Sequence, residues 1–446
     1  MDLSGTVSAF GGTAWTALSF IAALLVIVAV HEYGHYIIGR WCGIHAEVFS
    51  LGFGPKLMSH VDKRGTRWQI ALLPFGGYVR FLGDSDASSR PDASGMAGLS
   101  AEERRHSMHG APLWARSATV VAGPVFNIAL TLLLFFGTIL YTGVAVNEPV
   151  IGSLRALPSA PETLQVGDRI LALNGTETPD LATFFKVADK IGPLPIVAYE
   201  IQRGDAKLTV QAPHPLPPVA ASVYPDSAAL DAGLQAGDVI ITAAGQPIAT
   251  FAQLPALVEA TAGKPIPLTV WRDGKTFDLS LTPRRRDLPT TDGGFETRWL
   301  IGLSGGALFD PQIREPALGE AARLSWNQTW YMAKTTLSGL GHIVSGAISS
   351  CNISGPIGMA KVVGAAARSG WQTFIETLAL LSLSIGLLNL FPIPVLDGGH
   401  LVFHIWEATT GRAPTDRALQ VLMSVGLAML ISLMVFAMSN DLFLCS

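Results

Sequence analysis

The chain is poor in charge. Asp, Glu, Lys and Arg make up 14% of its 446 residues, where a soluble globular protein carries about 25%. With 49% hydrophobic residues and a mean hydropathy of +0.39, much of it must face lipid. The formal net charge of -4 comes without any basic block or basic-aromatic stripe, which excludes an electrostatic case for nucleic acid. Cysteine is scarce too. Cys42, Cys351 and Cys445 show no CxxC spacing and no disulfide framework, so each reads as an unpaired thiol. No Lys or Arg precedes the first apolar run and no small-residue cleavage site comes after it. That run reads as a retained transmembrane segment and not a signal peptide.

Long apolar runs are what the chain does have. Four meet the length of about 18–20 residues needed to span a bilayer: Ala14 to Ile38, Leu113 to Gly143, Thr373 to Val395 and Ala418 to Met438. Arg40, Lys56, Lys63, Arg64, Arg67, Arg80, Arg104, Arg105 and Arg116 fall between the start of the first loop and the second run. Positive charge favours the cytoplasmic side, so both termini and residues 144–370 are expected outside. The fold class expected is a polytopic α-helical membrane protein with four transmembrane helices.

Within the basic loop, "EVFSLGFGPKLMSHVDKRGTRWQIALLPFGGYVRFLG" reads as strand, turn and strand, with the turn at Asp62-Lys63-Arg64-Gly65. Gly52 and Gly54 lack the third glycine and βαβ context of a nucleotide loop; a membrane-associated β-hairpin fits. Asp84 to Gly98 is rich in Ser, Asp and Gly. In the outer stretch, "LQVGDRILALNG" returns 70 residues later as "LQAGDVIITAAG", and Arg203-Gly204-Asp205 has its counterpart in Arg272-Asp273-Gly274. Each copy reads strand, glycine turn, strand, helical segment and closing hairpin. "SAALDAGLQAGDVIITAAGQPI" resembles the helix-turn-strand signature of PDZ domains; the first copy departs more, since Pro161 breaks the segment before its turn. Two β-rich PDZ domains are therefore expected, against the plainer alternative of two structural β modules.

The first apolar run carries His31-Glu32-Tyr33-Gly34-His35, an HExxH. Residues four apart on a helix share a face, so both imidazoles can bind one zinc while Glu32 holds a water beside it. Two histidines capping a helix end would be the bland account, but ionisable groups inside a membrane helix are usually functional. A third ligand is needed. "NLFPIPVLDGGHL" offers Asp397 in a stretch where Pro392 and Pro394 interrupt the helix and Gly398 and Gly399 loosen the next segment. His400 and His404, also four apart, are rivals. A kinked helix with Asp397 merely capping its second half is the alternative.

HEYGH in the first helix, GFG in the hairpin, "GPVFN" (Gly123 to Asn127) in the second helix, "NISGPIGMA" (Asn352 to Ala360) and "NLFPIPVLDGGH" together resemble the site-2 protease family of intramembrane zinc metalloproteases. The resemblance covers nearly the whole chain. It implies residues 1–39 as the first transmembrane helix, 40–112 as a cytoplasmic loop with the hairpin, and 113–143 as the second helix. PDZ domains would occupy 144–214 and 215–310, and a periplasmic linker with amphipathic helices 311–370. The third helix with LDGG would be 371–403, and 404–446 a loop and the fourth helix. It further implies Zn2+ on His31, His35 and Asp397, with Glu32 as general base. Asn389, Pro394, Asn127 and the Gly52-Phe53-Gly54 hairpin would bind substrate, the hairpin as an added strand. For both asparagines an interhelical hydrogen bond is the alternative, and for the glycines a plain tight turn.

The implied partners are membrane lipid and single-span membrane proteins already trimmed outside, such as an anti-sigma factor in the envelope stress response and remnant signal peptides. The implied location is the bacterial inner membrane, with PDZ domains periplasmic and the active site near the cytoplasmic face. The rival class is a non-proteolytic zinc-binding membrane sensor, a PDZ scaffold or a small transporter. A transporter would show helix-pair symmetry, which is absent from the pattern. A sensor needs the ligands but not the base, so it would survive Glu32→Gln.

Overall fold

A computed structural model describes residues 3–85, 98–158, 163–224, 227–290, 295–347 and 353–444. Cys351, Cys445, Pro161 and most of the Asp84 to Gly98 stretch lie outside the described residues. Cys42 is a free, half-buried thiol. The chain divides into two compact units. One holds residues 1–138, 322–340 and 353–446; the other holds 139–321 and 341–352.

The first unit contains four helices long and apolar enough to cross a membrane. Helix α1 (Leu3–Trp41) is long and apolar enough over Gly12–Trp41 to cross a membrane, with the polar HEYGH near its end. In lipid, helices associate through close packing more than through hydrophobic expulsion, so small residues mark the contacts. Gly34 is such a point: a Cβ there would lie 2.6 Å from the Ala122 carbonyl oxygen. That carbonyl belongs to α2 (Leu113–Thr142), which carries Pro124 in its interior.

Between them, β1 (Ala46–Val61) and β2 (Arg67–Phe81) form the hairpin. Its turn is fixed by Asp62, whose Oδ1 accepts from the amides of Arg64 at 2.8 Å and Thr66 at 3.0 Å. Both strands bend. Residues 48–51 therefore pair on one side with 67–70 and on the other with 77–80. The hairpin thus becomes a four-segment sheet in the order 56–61, 67–73, 46–51, 77–81. Segment 77–81 pairs on one side only. Gly52, with φ +89°, sits at one bend, where a Cβ would come 2.7 Å from the Leu73 carbonyl oxygen. The hairpin's end is tied down by Asp84, which accepts from the Phe81 amide at 2.9 Å and pairs with His109 at 3.0 Å. Burial raises the Asp84 carboxyl above its ordinary value, against the opposing pull of His109.

The second unit repeats one design. In the first copy, β3 (Arg169–Leu173), β4 (Thr176–Glu177), α3 (Leu181–Lys190), β5 (Ile196–Arg203) and β6 (Ala206–Pro213) give a sheet of order β4-β3-β5-β6. In the second, β7 (Val239–Ala243), β8 (Gln246–Pro247), α4 (Gln253–Ala260), β9 (Ile266–Arg272) and β10 (Lys275–Leu281) give the same order, β8-β7-β9-β10. Buried Asp168 and Asp238 each take a two-pronged bond, from Arg203 and Arg272 respectively. Each also caps the turn before it, accepting from Gln165 or Gln235 at 2.8 Å. The copies are not simply consecutive. Leu308 and Phe309 enter the core of the first copy, and residues 309–311 pair with 151–154. The first module therefore extends past the 144–214 span expected for it, because its closing strand comes from beyond the second copy.

Helix α5 (Leu318–Val344) comes next, then α6 (Pro356–Ser369), α7 (Trp371–Asn389), α8 (Asp397–Thr410) and α9 (Asp416–Ser439). Ala23 and Ile27 of α1 share a core with Val363 of α6 and Leu378 of α7. The expected third helix carrying LDGG through residue 403 is in fact two: α7 stops at Asn389, and Asp397 opens α8. Pro392 and Pro394, without amide hydrogens, force the stop.

Candidate metal centre and active site

His31 and His35, one turn apart on α1, face Asp397 at the first position of α8. The two Nε2 atoms are 3.2 Å apart; Asp397 Oδ2 lies 3.2 Å from His31 Nε2 and 3.5 Å from His35 Nε2. Tetrahedral ligands about 2.0–2.1 Å from zinc are about 3.3 Å from one another. The three spacings match that geometry. Asp397 Oδ2 is buried and has no hydrogen-bond donor, a costly state that a cation relieves. Among the described residues this is the cluster of three such groups able to hold a metal.

The turn that delivers Asp397 is tightly built. A Cβ on Gly398 would come 2.3 Å from the carbonyl oxygens of Leu390 and Phe391, and one on Gly399 equally close to that of Ile393. The glycines thus let the loop fold against the start of α8. The rivals for the third ligand are placed otherwise. His404 Nδ1 is 3.1 Å from the Ser117 hydroxyl, and His400 lines the cavity without joining the triad. Beside them Arg116 reaches Glu407 with two hydrogen bonds, of 2.6 and 3.1 Å, linking α2 to α8.

Glu32 shares the cavity with the triad and with Val79. A Cβ on Gly77 would meet Glu32 Cγ at 2.9 Å, so the glycine makes room for the carboxylate. The cavity, about 250 Å³, is also lined by Tyr78, Val79 and Asn389. Asn389 ends α7 and reaches it because the helix breaks there.

The other substrate-binding expectations fare differently. Asn127 is fully buried behind His31, its Nδ2 3.3 Å from His31 Nδ1, and it does not line the cavity. The structure places it against the ring of His31. Pro394 packs near Gly399 and Gly426 and is likewise outside the lining. Gly52, Phe53 and Gly54 form a bend away from the cavity. Phe53 stacks on Tyr78 at 5.9 Å, over Gly76. The one-sided edge nearest the triad is 77–81, in "PFGGYVRF". Its paired glycines are the only sequence signal for that place, and they belong to none of the motifs singled out above.

Known proteins give the same picture. The sequence profile described as peptidase family M50 matches residues 19–433. A protein of Agrobacterium fabrum named as a zinc metalloprotease is 35% identical over 428 residues, covering 95% of this chain and 94% of the relative. A similarly named protein of Brucella suis is 32% identical over 441 residues, with 96% of each covered. The regulator of sigma-E protease RseP of Escherichia coli is 34% identical over 457 aligned positions, covering 96% of this chain and 98% of that protein. A profile and relatives that span the chain, joined to a His-His-Asp cluster at zinc-ligand spacing, establish that this chain belongs to peptidase family M50 and is a zinc metalloprotease of the site-2 protease type.

Proposed function

We propose that this metalloprotease hydrolyses peptide bonds within transmembrane segments of membrane proteins already trimmed outside. The observation that carries the reading is the meeting of the HExxH of a spanning helix with Asp397 and a one-sided strand edge around one cavity. His31, His35 and Asp397 would hold the zinc ion, which when bound would supply Lewis acidity and lower the pKa of water towards about 7. Glu32 takes the proton of the attacking water and passes it to the leaving amide nitrogen; Gly77 leaves room for the carboxylate. Asn389 donates to the carbonyl oxygen as charge develops there. A helical substrate hides its amides in its own hydrogen bonds, so it must unwind first. Residues 77–81 replace some of those bonds by strand addition, with Phe53 of the GFG bend bracing Tyr78.

The repeated modules are PDZ domains in this reading, lying in the periplasm and excluding substrates with bulky external domains. The basic loop between the first two spans argues for a cytoplasmic hairpin and an active site near that face. The bacterial inner membrane is the setting. An anti-sigma factor in the stress response, which the name of the Escherichia coli relative suggests, and remnant signal peptides are the substrates. The test uses purified wild type and Glu32→Gln, each with a single-span substrate lacking its external domain. Cleavage by wild type alone, with zinc bound to both, is expected. Cleavage by Glu32→Gln at an undiminished rate would remove Glu32 from the chemistry.

A further inference from the structure

One stripe of α2 lies directly behind the metal ligands. Thr119, Gly123 and Asn127 are spaced by four and so share a face. The carbonyl oxygen of Thr119 is 2.8 Å from His35 Nδ1. At Gly123, a Cβ would come 2.2 Å from His35 Nε2 and 2.8 Å from His31 Cε1. Asn127 Nδ2 is 3.3 Å from His31 Nδ1. Both imidazoles turn Nε2 towards Asp397, so Nδ1 is the outward nitrogen of each. A neutral imidazole that binds a metal through Nε2 carries its hydrogen on Nδ1. For His35 the partner is a carbonyl, which can only accept, and that form is fixed. For His31 the partner is a carboxamide, which can face the ring with either end.

We infer that Asn127 is a positioning residue for the metal ligand His31, its side-chain oxygen accepting the Nδ1 hydrogen and holding the Nε2 lone pair towards the metal. With Nδ2 against the ring, Nδ1 must be bare and the hydrogen moves to Nε2, into the space the metal needs. The same orientation leaves Asn127 Oδ1 buried and without a donor. A half-turn of the carboxamide gives Oδ1 the ring hydrogen as its donor and clears the metal's space, since the two ends have the same shape. The backbone beneath the side chain is anchored, because Ser382 of α7 donates to the Asn127 carbonyl oxygen at 2.9 Å. Asn127 therefore acts through His31 and not on substrate.

The inference rests on the zinc site but not on the proposed substrates, so it is tested by metal binding. Full-length wild type, Asn127→Leu, Asn127→Asp and Thr138→Val are titrated with Zn2+ against a chromogenic chelator. Their metal-free melting temperatures are recorded in the same detergent. Asn127→Leu keeps the bulk but loses the acceptor and is expected to bind Zn2+ about 10- to 100-fold more weakly. Asn127→Asp keeps an acceptor and is expected to bind at least as tightly as wild type. Thr138→Val removes another buried polar group of α2, about three turns along the helix from Asn127, and serves as the stability control, with affinity unchanged. The inference is overturned if Asn127→Leu binds Zn2+ as wild type does, or if Leu and Asp weaken it alike. Should Asn127→Asp fail to fold, the visible spectrum of Co2+-loaded Asn127→Leu decides. A changed ligand field supports the assignment, and an unchanged one refutes it. Wild type that binds Zn2+ yet leaves trimmed single-span substrates uncut would fault the proposed reaction and not this inference.

Discussion

At the scale of single residues, the centre depends on a few atoms that cannot be exchanged. Asp397 offers a buried carboxylate oxygen that has no hydrogen-bond donor among the described residues. Asp397→Asn keeps the shape but removes the charge, and zinc content after dialysis against a mild chelator should fall at least tenfold by elemental analysis. Retention of stoichiometric zinc would mean that another group, His400 foremost, completes the site. Gly123 is equally constrained, for a different reason. A methyl there has no room beside His35 Nε2, so Gly123→Ala should lower zinc affinity and separate the helices. An unaltered affinity and melting temperature would show that the rings can shift at little cost. His31, Glu32 and His35 are legible in the sequence because four-residue spacing on a helix is a local property. The place of Asn127 is not, since its distance from His31 along the chain conceals which side of the ring it occupies.

At the scale of elements, the break between α7 and α8 matters more than either helix. Pro392 and Pro394 end α7 at Asn389, and the turn beyond them sets Asp397 at the head of α8, against α1. Restoring amides with the double substitution Pro392→Ala, Pro394→Ala should let α7 continue. Asp397 would then rotate away from the histidines. Helical circular dichroism should rise slightly while zinc affinity drops more than tenfold; unchanged affinity would show that the glycines alone shape the turn. The prolines announce a break in the sequence, but not that the helix stops eight residues before Asp397. The hairpin tells a similar story. Its turn at Asp62 is readable from local residues, whereas the doubling of residues 48–51 as the inner segment is not. Only when both strands bend does 77–81 become the edge beside Glu32.

At the scale of the whole molecule, the two modules share a strand order and a buried Arg-Asp pair. Asp238→Ala would take the carboxylate partner from Arg272, leaving it the Gly233 carbonyl, and the acceptor from the Gln235 amide. Breaking such a pair costs about 3 kcal/mol or more, which should appear as early melting of the second module; a melting profile matching wild type would deny the pair that role. The proposed size filter belongs here as well. Excising residues 220–283 spares Leu308 and Phe309, which close the core of the first module. Substrates with intact external domains should then be cleaved. If they stayed uncut while trimmed ones were processed, the modules would not act as a filter.

The sequence by itself determined what depends on neighbours along the chain. Apolar run length specified four spanning helices, residue spacing specified a two-histidine metal face, and self-similarity at 70 residues specified a repeated module. Each comes from local geometry: rise per residue, helical period, or turn chemistry. The tertiary structure alone decided the rest. It decided which carboxylate meets the histidines at zinc-ligand spacing, which strand edge borders Glu32, and which residues close the first module. It also decided that Thr119, Gly123 and Asn127 stand behind the imidazoles. These are contacts between segments tens to hundreds of residues apart. Around the metal centre they depend on Gly34, Gly77, Gly123 and Gly398, which let backbones and rings approach to distances that a Cβ would not allow.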